Sequence, residues 1–152
     1  MTHITWEQYH EMIKTIDRAL QVKFGVDKKI NVLGIPRGGL FISLMLSYMN
    51  PKLYEAQSAD NGSLHFEEDE IVVLVDDVLE TGATREHYNG FWANVPLAVL
   101  FDKSKLYNIE LADVSLEVMD VKEWLQFPYE FETTEEIASM KLHGGYEIEG
   151  EK

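Results

Sequence analysis

Val72-Val73-Leu74-Val75-Asp76-Asp77-Val78-Leu79-Glu80-Thr81-Gly82-Ala83-Thr84 is the stretch on which the reading of this chain turns. It begins within residues 71–75 (IVVLV), an almost purely aliphatic, β-branched run of the kind found in a central parallel strand covered on both faces. The strand is expected to stop at two adjacent carboxylates, at the carboxyl edge of a sheet, where α/β folds hold their ligands. Thr81-Gly82-Ala83-Thr84 then offers two hydroxyls and several backbone N–H groups at a helix N-terminus, a cradle for phosphate. Carboxylates beside such a cradle make sense if they bind hydroxyls or a cation, and a sugar phosphate with Mg²⁺ meets both demands. A lone Asp-Asp would read better as a helix cap; the composite favours a ligand.

Outward from this stretch, apolar runs alternate with helical patterns. Trp6, Tyr9, Ile13, Ile16, Leu20 and Phe24 recur at spacings of three and four, which predicts a helix. Thr5 and Gln8 fit a capping box, Ile4 and Tyr9 a hydrophobic staple, and Gly25 a stop. Residues 30–35 (INVLGI) read as a strand, closed by Pro36-Arg37-Gly38-Gly39 and followed by a buried helix over 40–49 that ends at Asn50-Pro51. Residues 53–57 and 64–66 flank Asn61-Gly62, a strong hairpin signal. A helix to about Trp92, a buried strand over 96–101 and a weaker one over 113–118 follow. A short helix is expected around 134–142 in the Glu-rich tail. The alternation specifies an α/β domain with a mainly parallel sheet.

Composition narrows the function. Among 152 residues, 13 Lys and Arg face 27 Asp and Glu, a net charge of −14. Such a chain is a poor binder of nucleic acid, which requires cations to displace phosphate counterions, and of anionic membranes. With no cysteine there is no disulfide, thiolate metal site or Cys nucleophile. No apolar run reaches the ~18 residues of a membrane span, and the N-terminus lacks a signal-peptide pattern. The expectation is a soluble, cytoplasmic, single domain. A small anionic ligand in a locally positive pocket remains open. Histidines 3, 10, 65, 87 and 143 show no ligand spacing.

Residues 72–84 resemble the signature with which type I phosphoribosyltransferases bind 5-phosphoribosyl-1-pyrophosphate (PRPP). The match covers the four aliphatic positions, the acidic pair, the acid at Glu80, Thr-Gly and the final Thr. The resemblance implies the type I phosphoribosyltransferase fold, a mainly parallel sheet flanked by helices with a small hood from the C-terminal region. It implies one domain over 1–152, with a core of about 28–118 and a hood and tail over 119–152. Asp76 and Asp77 would hold the ribose hydroxyls, directly or as Mg²⁺ ligands, and Thr81, Gly82, Ala83 and Thr84 the 5′-phosphate. Ile35-Pro36-Arg37-Gly38-Gly39-Leu40 is similar to the family's pyrophosphate loop, above all in the xanthine-guanine enzymes. That implies a cis bond at Pro36–Arg37, with Arg37 and the N–H groups of Gly38 and Gly39 on the diphosphate.

Phe101-Asp102-Lys103 and residues 123–129 (EWLQFPY) resemble the segments that hold the purine. By that resemblance Lys103 would donate to O6, Trp124 would stack on the ring and the Leu125 main chain would read the edge. The implied reaction is attack of a 6-oxopurine (guanine, xanthine or hypoxanthine) on C1 of PRPP as pyrophosphate leaves. Glu80 stands where the 6-oxopurine enzymes usually have Asp, one methylene shorter, and is expected there as general base or N7 partner. The oligomer implied is a homodimer or homotetramer, for which residues near Phe91-Trp92 and Met45–Tyr48 offer apolar surface.

Two further departures stand out. The stretch over 57–66, where the family has a closing loop with basic residues, has no Lys or Arg, and Arg85 follows Thr84, to add phosphate affinity or face solvent. The altered loop leaves as an alternative a non-catalytic PRPP- or nucleotide-binding regulator. Because the resembled fold also serves pyrimidines, an enzyme for a different nucleobase is another.

Overall fold

The structure, a computed structural model, describes residues 2–107, 112–118 and 124–130. The expected helix around 134–142 and most of the expected hood and tail lie outside them.

The chain opens with β1 (Thr2–His3) and enters α1 (Trp6–Phe24) through the expected capping box. The Gln8 N–H donates to Thr5 Oγ1 at 3.1 Å and the Thr5 N–H to Gln8 Oε1 at 2.9 Å. Gly25, at φ 111°, ends the helix, a conformation a side chain would oppose. Tyr9, Ile13, Ile16 and Leu20 are buried, but Trp6 is not. Ile4 fills the core position at this end, and the Trp6 ring lies outside against Tyr9 and His10.

There follow β2 (Ile30–Gly34), α2 (Gly38–Met49), β3 (Tyr54–Ser58), β4 (Ile71–Leu79), α3 (Ala83–Trp92), β5 (Leu97–Asp102), β6 (Val114–Val118) and β7 (Leu125–Gln126). Five strands form one parallel sheet in the order β3-β2-β4-β5-β6, and β1 pairs with β7 apart from it. β4 is the central strand. Its side chains alternate faces. Val73 and Val75 join Ile30, Val32, Ala98 and Leu100 under α1 and α2, while Leu74 joins Leu33, Leu97 and Val99 under α3.

Three expectations fail in instructive ways. Residues 53–66 form no hairpin: β3 runs parallel to β2, and residues 64–66 are not a strand. A type I′ turn needs positive φ, and neither Asn61 nor Gly62 has it. Instead the Trp92 indole N–H donates to Ala59 O and the Tyr88 hydroxyl to Asp60 Oδ1, drawing the segment onto α3. Helix α2 is buried on one side only, through Ile42 and Leu46; Phe41, Leu44, Tyr48 and Met49 are exposed, because it lies in an outer layer. Finally, β4 does not stop at the acidic pair. Its pairing with β2 ends at Gly34↔Val75, whereas β5 accompanies it to Leu79↔Asp102. Asp76 and Asp77 therefore sit within a strand, beside the gap that β2 leaves when it turns away.

Candidate active site

The alternation that splits the core also splits the acidic pair. Asp76 shares the parity of Leu74 and lines a cavity of about 280 Å³ on the α3 side, together with Val78 and residues 79–85. Asp77 shares the parity of Val73 and Val75 and faces the start of α2. Each carboxylate accepts the N–H of the following residue, Asp77 N–H to Asp76 Oδ1 at 2.9 Å and Val78 N–H to Asp77 Oδ1 at 2.8 Å. Burial, and then the negative charge of Asp77, raise the Asp76 carboxyl well above the usual carboxylate range. A cation placed here would relieve both effects. Among the described residues no group of three or more His, Asp or Glu could hold a metal alone. Because Asp76 and Asp77 face opposite sides of β4, an ion on the cavity side would meet Asp76 and would have to take its remaining ligands from a substrate or water.

On the Asp77 side, the loop after β2 presses against the strand. The Pro36–Arg37 bond is cis, as expected. A Cβ on Gly38 would overlap Asp77 Oδ2, and one on Gly39 would overlap the Val75 carbonyl oxygen, so the approach of α2 to β4 requires glycine at both. The Gly39 N–H already donates to Ile35 O at 2.8 Å, so what this residue contributes is its missing side chain. Arg37 is exposed at the N-terminus of α2.

On the other side, Gly82 adopts the left-handed conformation (φ 85°) and caps α3. Thr81 and Thr84 are exposed at that N-terminus, and Thr81 Oγ1 accepts the Ala83 N–H at 3.2 Å. Glu80 stands beside this turn. Its carboxylate lies 3.7 Å from Nζ of Lys103, which is buried rather than a loop cation in solvent. The Lys103 N–H donates to Leu79 O at 2.7 Å, fixing the end of β5 against the end of β4. Arg85 belongs to neither expectation made for it. Its Nη2 donates to the carbonyls of Trp92, Ala93 and Val95 at 3.0, 3.3 and 2.8 Å. The last turn of α3 carries no basic residue, and this guanidinium reaches along the helix to the Trp92 carbonyl at its end and to the two carbonyls of Ala93 and Val95 just beyond it.

The segment 124–130 crosses the carboxyl edge of the sheet. Its start is registered to the N-terminus by Thr2↔Leu125, with Trp124 exposed and Leu125 buried. Phe127 meets Phe101 of β5 edge-on, and the Tyr129 ring stacks between Phe127 and Phe41 of α2. The Tyr129 hydroxyl donates to Asp77 Oδ2 at 2.9 Å. Burial, then the Asp77 charge, raise its pKa, and the same two causes act on Tyr9, whose buried hydroxyl has no partner. Glu130 lies close enough to feel both Asp77 and Arg37, and burial, then Asp77, raise its pKa too.

No family model matches the chain, and neither does any curated protein sequence. Solved structures do. A purine phosphoribosyltransferase from Pyrococcus horikoshii Ot3 superposes with a TM-score of 0.66 at 23% identity, over 86% of this chain and 94% of that one. The fold is that of the type I phosphoribosyltransferases. The xanthine-guanine-hypoxanthine phosphoribosyltransferase of Helicobacter pylori gives the same TM-score, 0.66, at 19% identity over 93% and 97%. A Neisseria gonorrhoeae protein with bound ppGpp gives 0.58 at 18% identity over 93% and 95%.

On this phosphoribosyltransferase fold the residues singled out from sequence fall into three groups. Asp76, Glu80, Thr81, Gly82, Ala83 and Thr84 share the cavity, with Lys103 paired to Glu80. Asp77 and Gly38 meet on the opposite face of β4, with Arg37 and Gly39 in the same loop. Trp124 and Leu125 begin the segment that ends on Asp77. The residues 57–66, expected at the closing loop, are anchored to α3 by Tyr88 and Trp92; Trp92 is thereby buried and offers no oligomer surface, whereas Phe91 is exposed. Sequence reasoning passed over Tyr129 and Phe41. The available signal was a hydroxyl-bearing aromatic directly after a proline in an otherwise apolar segment. No helix of the described residues is long and apolar enough to cross a membrane.

Proposed function

We propose that this chain is a Mg²⁺-dependent enzyme that transfers the phosphoribosyl group of PRPP to a 6-oxopurine base, giving the nucleoside monophosphate and pyrophosphate. The observation that carries the reading is the shared cavity at the end of β4, where Asp76 and Glu80 adjoin the Thr81–Thr84 turn at the α3 N-terminus. In this reading Thr81, Gly82, Ala83 and Thr84 bind the 5′-phosphate with N–H groups and hydroxyls, and Asp76 and Asp77 hold the ribose side and the ion. Bound there, Mg²⁺ would supply positive charge to the diphosphate. Arg37 adds charge from the loop. Glu80, oriented by Lys103, takes the base proton, and Lys103, Trp124 and the Leu125 main chain select the purine. The names of the two phosphoribosyltransferases above agree with a purine substrate. A cytoplasmic location and assembly as a homodimer or homotetramer belong to the same reading.

Incubation with PRPP, Mg²⁺ and guanine, xanthine or hypoxanthine in turn should release pyrophosphate only when a base is present. The Glu80→Gln variant should lower kcat on every accepted base by roughly a hundredfold; unchanged turnover would remove Glu80 from the mechanism. One observation favours a second reading, a regulator that binds PRPP or a nucleotide without turnover. Residues 57–66 carry no Lys or Arg and are anchored near their start to α3. PRPP binding without pyrophosphate release for any base would support it.

A further inference from the structure

Asp77 is held from three directions. Its Oδ1 accepts the Val78 N–H at 2.8 Å, its Oδ2 accepts the Tyr129 hydroxyl at 2.9 Å, and Gly38 packs so closely against it that a Cβ would overlap the carboxylate. Two of these restraints come from β4 and its neighbouring loop. The third comes from a segment 52 residues further along the chain, the one that begins at Trp124 and Leu125. We propose that Tyr129 is a positioning residue that couples the two ends of the site: through it the 124–130 segment orients Asp77 for PRPP, and a base seated at Trp124–Leu125 strengthens the hold on PRPP.

The coupling path is short and stiff. Thr2 N–H donates to Trp124 O and Ile4 N–H to Gln126 O, each at 2.9 Å, so the segment enters in fixed register. The Glu130 N–H donates to Phe127 O at 3.0 Å and closes the turn that carries Tyr129. The Tyr129 ring lies 4.1 Å from the Phe41 ring at 7° and 5.6 Å from the Phe127 ring at 10°, with Tyr9 edge-on at 5.6 Å. Between two parallel rings it can slide but not tilt, so a shift of the segment moves the hydroxyl relative to Asp77. Phe41 extends the contact to α2, the helix that opens with Gly38. A hydrogen bond to a carboxylate is directional and strong enough to carry the signal. Coupling of this kind is reciprocal, so each ligand must aid the other equally.

The inference rests on the phosphoribosyltransferase reading for what occupies each end. Its test uses the full chain, PRPP with excess Mg²⁺, and the base that supports pyrophosphate release. Calorimetric titration with Mg²⁺ and PRPP, without base, should show Tyr129→Phe binding roughly tenfold more weakly, the scale of one hydrogen bond to a charged group. Initial rates over both substrates should show that the base lowers the KM for PRPP in the native chain and no longer does so in Tyr129→Phe, with kcat within about threefold. Tyr9→Phe removes a buried hydroxyl from the same ring cluster that makes no hydrogen bond to Asp77, and should behave as the native chain. Tyr129→Phe binding PRPP within twofold of the native chain, or Tyr9→Phe losing as much, overturns the proposal. A native chain that binds no PRPP overturns the phosphoribosyltransferase reading together with it.

Discussion

Replacing Gly38 by Ala tests the close approach on which the Asp77 side of the site depends. At the first residue of a helix with an ordinary φ, exchange of Gly for Ala by itself stabilises by roughly 0.5–1 kcal/mol. Here the new Cβ would overlap Asp77 Oδ2 and lie 2.5 Å from Cγ, where ordinary contact begins near 3.4 Å; Cγ alone demands a shift of about 0.9 Å and the closer Oδ2 demands more. Two movements can supply it. Helix α2 can retreat, which pulls Gly39 off the Val75 carbonyl and shifts Ile42 and Leu46, both 0% exposed. Alternatively Asp77 can rotate, which breaks its bonds to Val78 N–H and the Tyr129 hydroxyl. Each bond to a charged group contributes about 1.5–3 kcal/mol, and the two are not independent. The expected cost of Gly38→Ala is therefore about 2–4 kcal/mol, opposite in sign to the propensity term. Urea unfolding of the native chain, both single variants and Gly38→Ala/Asp77→Ala closes a double-mutant cycle. In the Asp77→Ala background, where the obstructing carboxylate is gone, the same exchange should cost less than about 1 kcal/mol. A Gly38→Ala protein as stable as the native one, or a cost equal in both backgrounds, refutes the steric argument.

Other residues make shorter predictions. The folded Asp76 carboxyl is pushed up to about 9, so the folded chain keeps a proton that the unfolded chain has released. Its contribution to stability is full below the ordinary carboxylate pKa and is lost as pH rises towards 9. Urea midpoints without divalent cation should accordingly fall from pH 5 to pH 9 in the native chain and far less in Asp76→Asn, and added Mg²⁺ should restore the native midpoint most at the alkaline end. Tyr9→Phe removes a buried hydroxyl without a partner and should leave the melting temperature unchanged or raise it, by up to about 1 kcal/mol in stability; a clear loss would show that the hydroxyl is satisfied. Arg85→Lys cannot reproduce the three carbonyl contacts of the guanidinium and should destabilise by about 1–3 kcal/mol. Because that side chain is turned to the far end of α3, the KM for PRPP should stay within about twofold of the native value. A selective rise in KM would return Arg85 to the phosphate.

Much of this was written locally. The capping box of Thr5 and Gln8, the stop at Gly25, the aliphatic run of β4 and the threonines around Gly82 each act within a few residues, and the elements formed where periodicity and turn chemistry placed them. Even the division of the acidic pair was implicit, since neighbours in a strand must face opposite ways. The sequence read alone stopped that strand too early because a carboxylate pair looks like a terminus; what lets β4 run on to Leu79 is β5 at its side, a pairing no local pattern announces.

The sequence by itself determined the α/β class, the central strand and the composite of carboxylates, glycines and hydroxyls at its end, because periodicity, turn chemistry and motif spacing are properties of neighbouring residues. The tertiary structure decided which of those groups meet. It buried Lys103 and brought it to Glu80, turned Arg85 away from the cradle to the far end of its own helix, fastened residues 59 and 60 to α3, and set Tyr129 on Asp77. Most of these contacts join positions tens of residues apart, and that is the physical reason. Hydrogen bonds between distant residues form only after the sheet order and helix packing have fixed which surfaces touch.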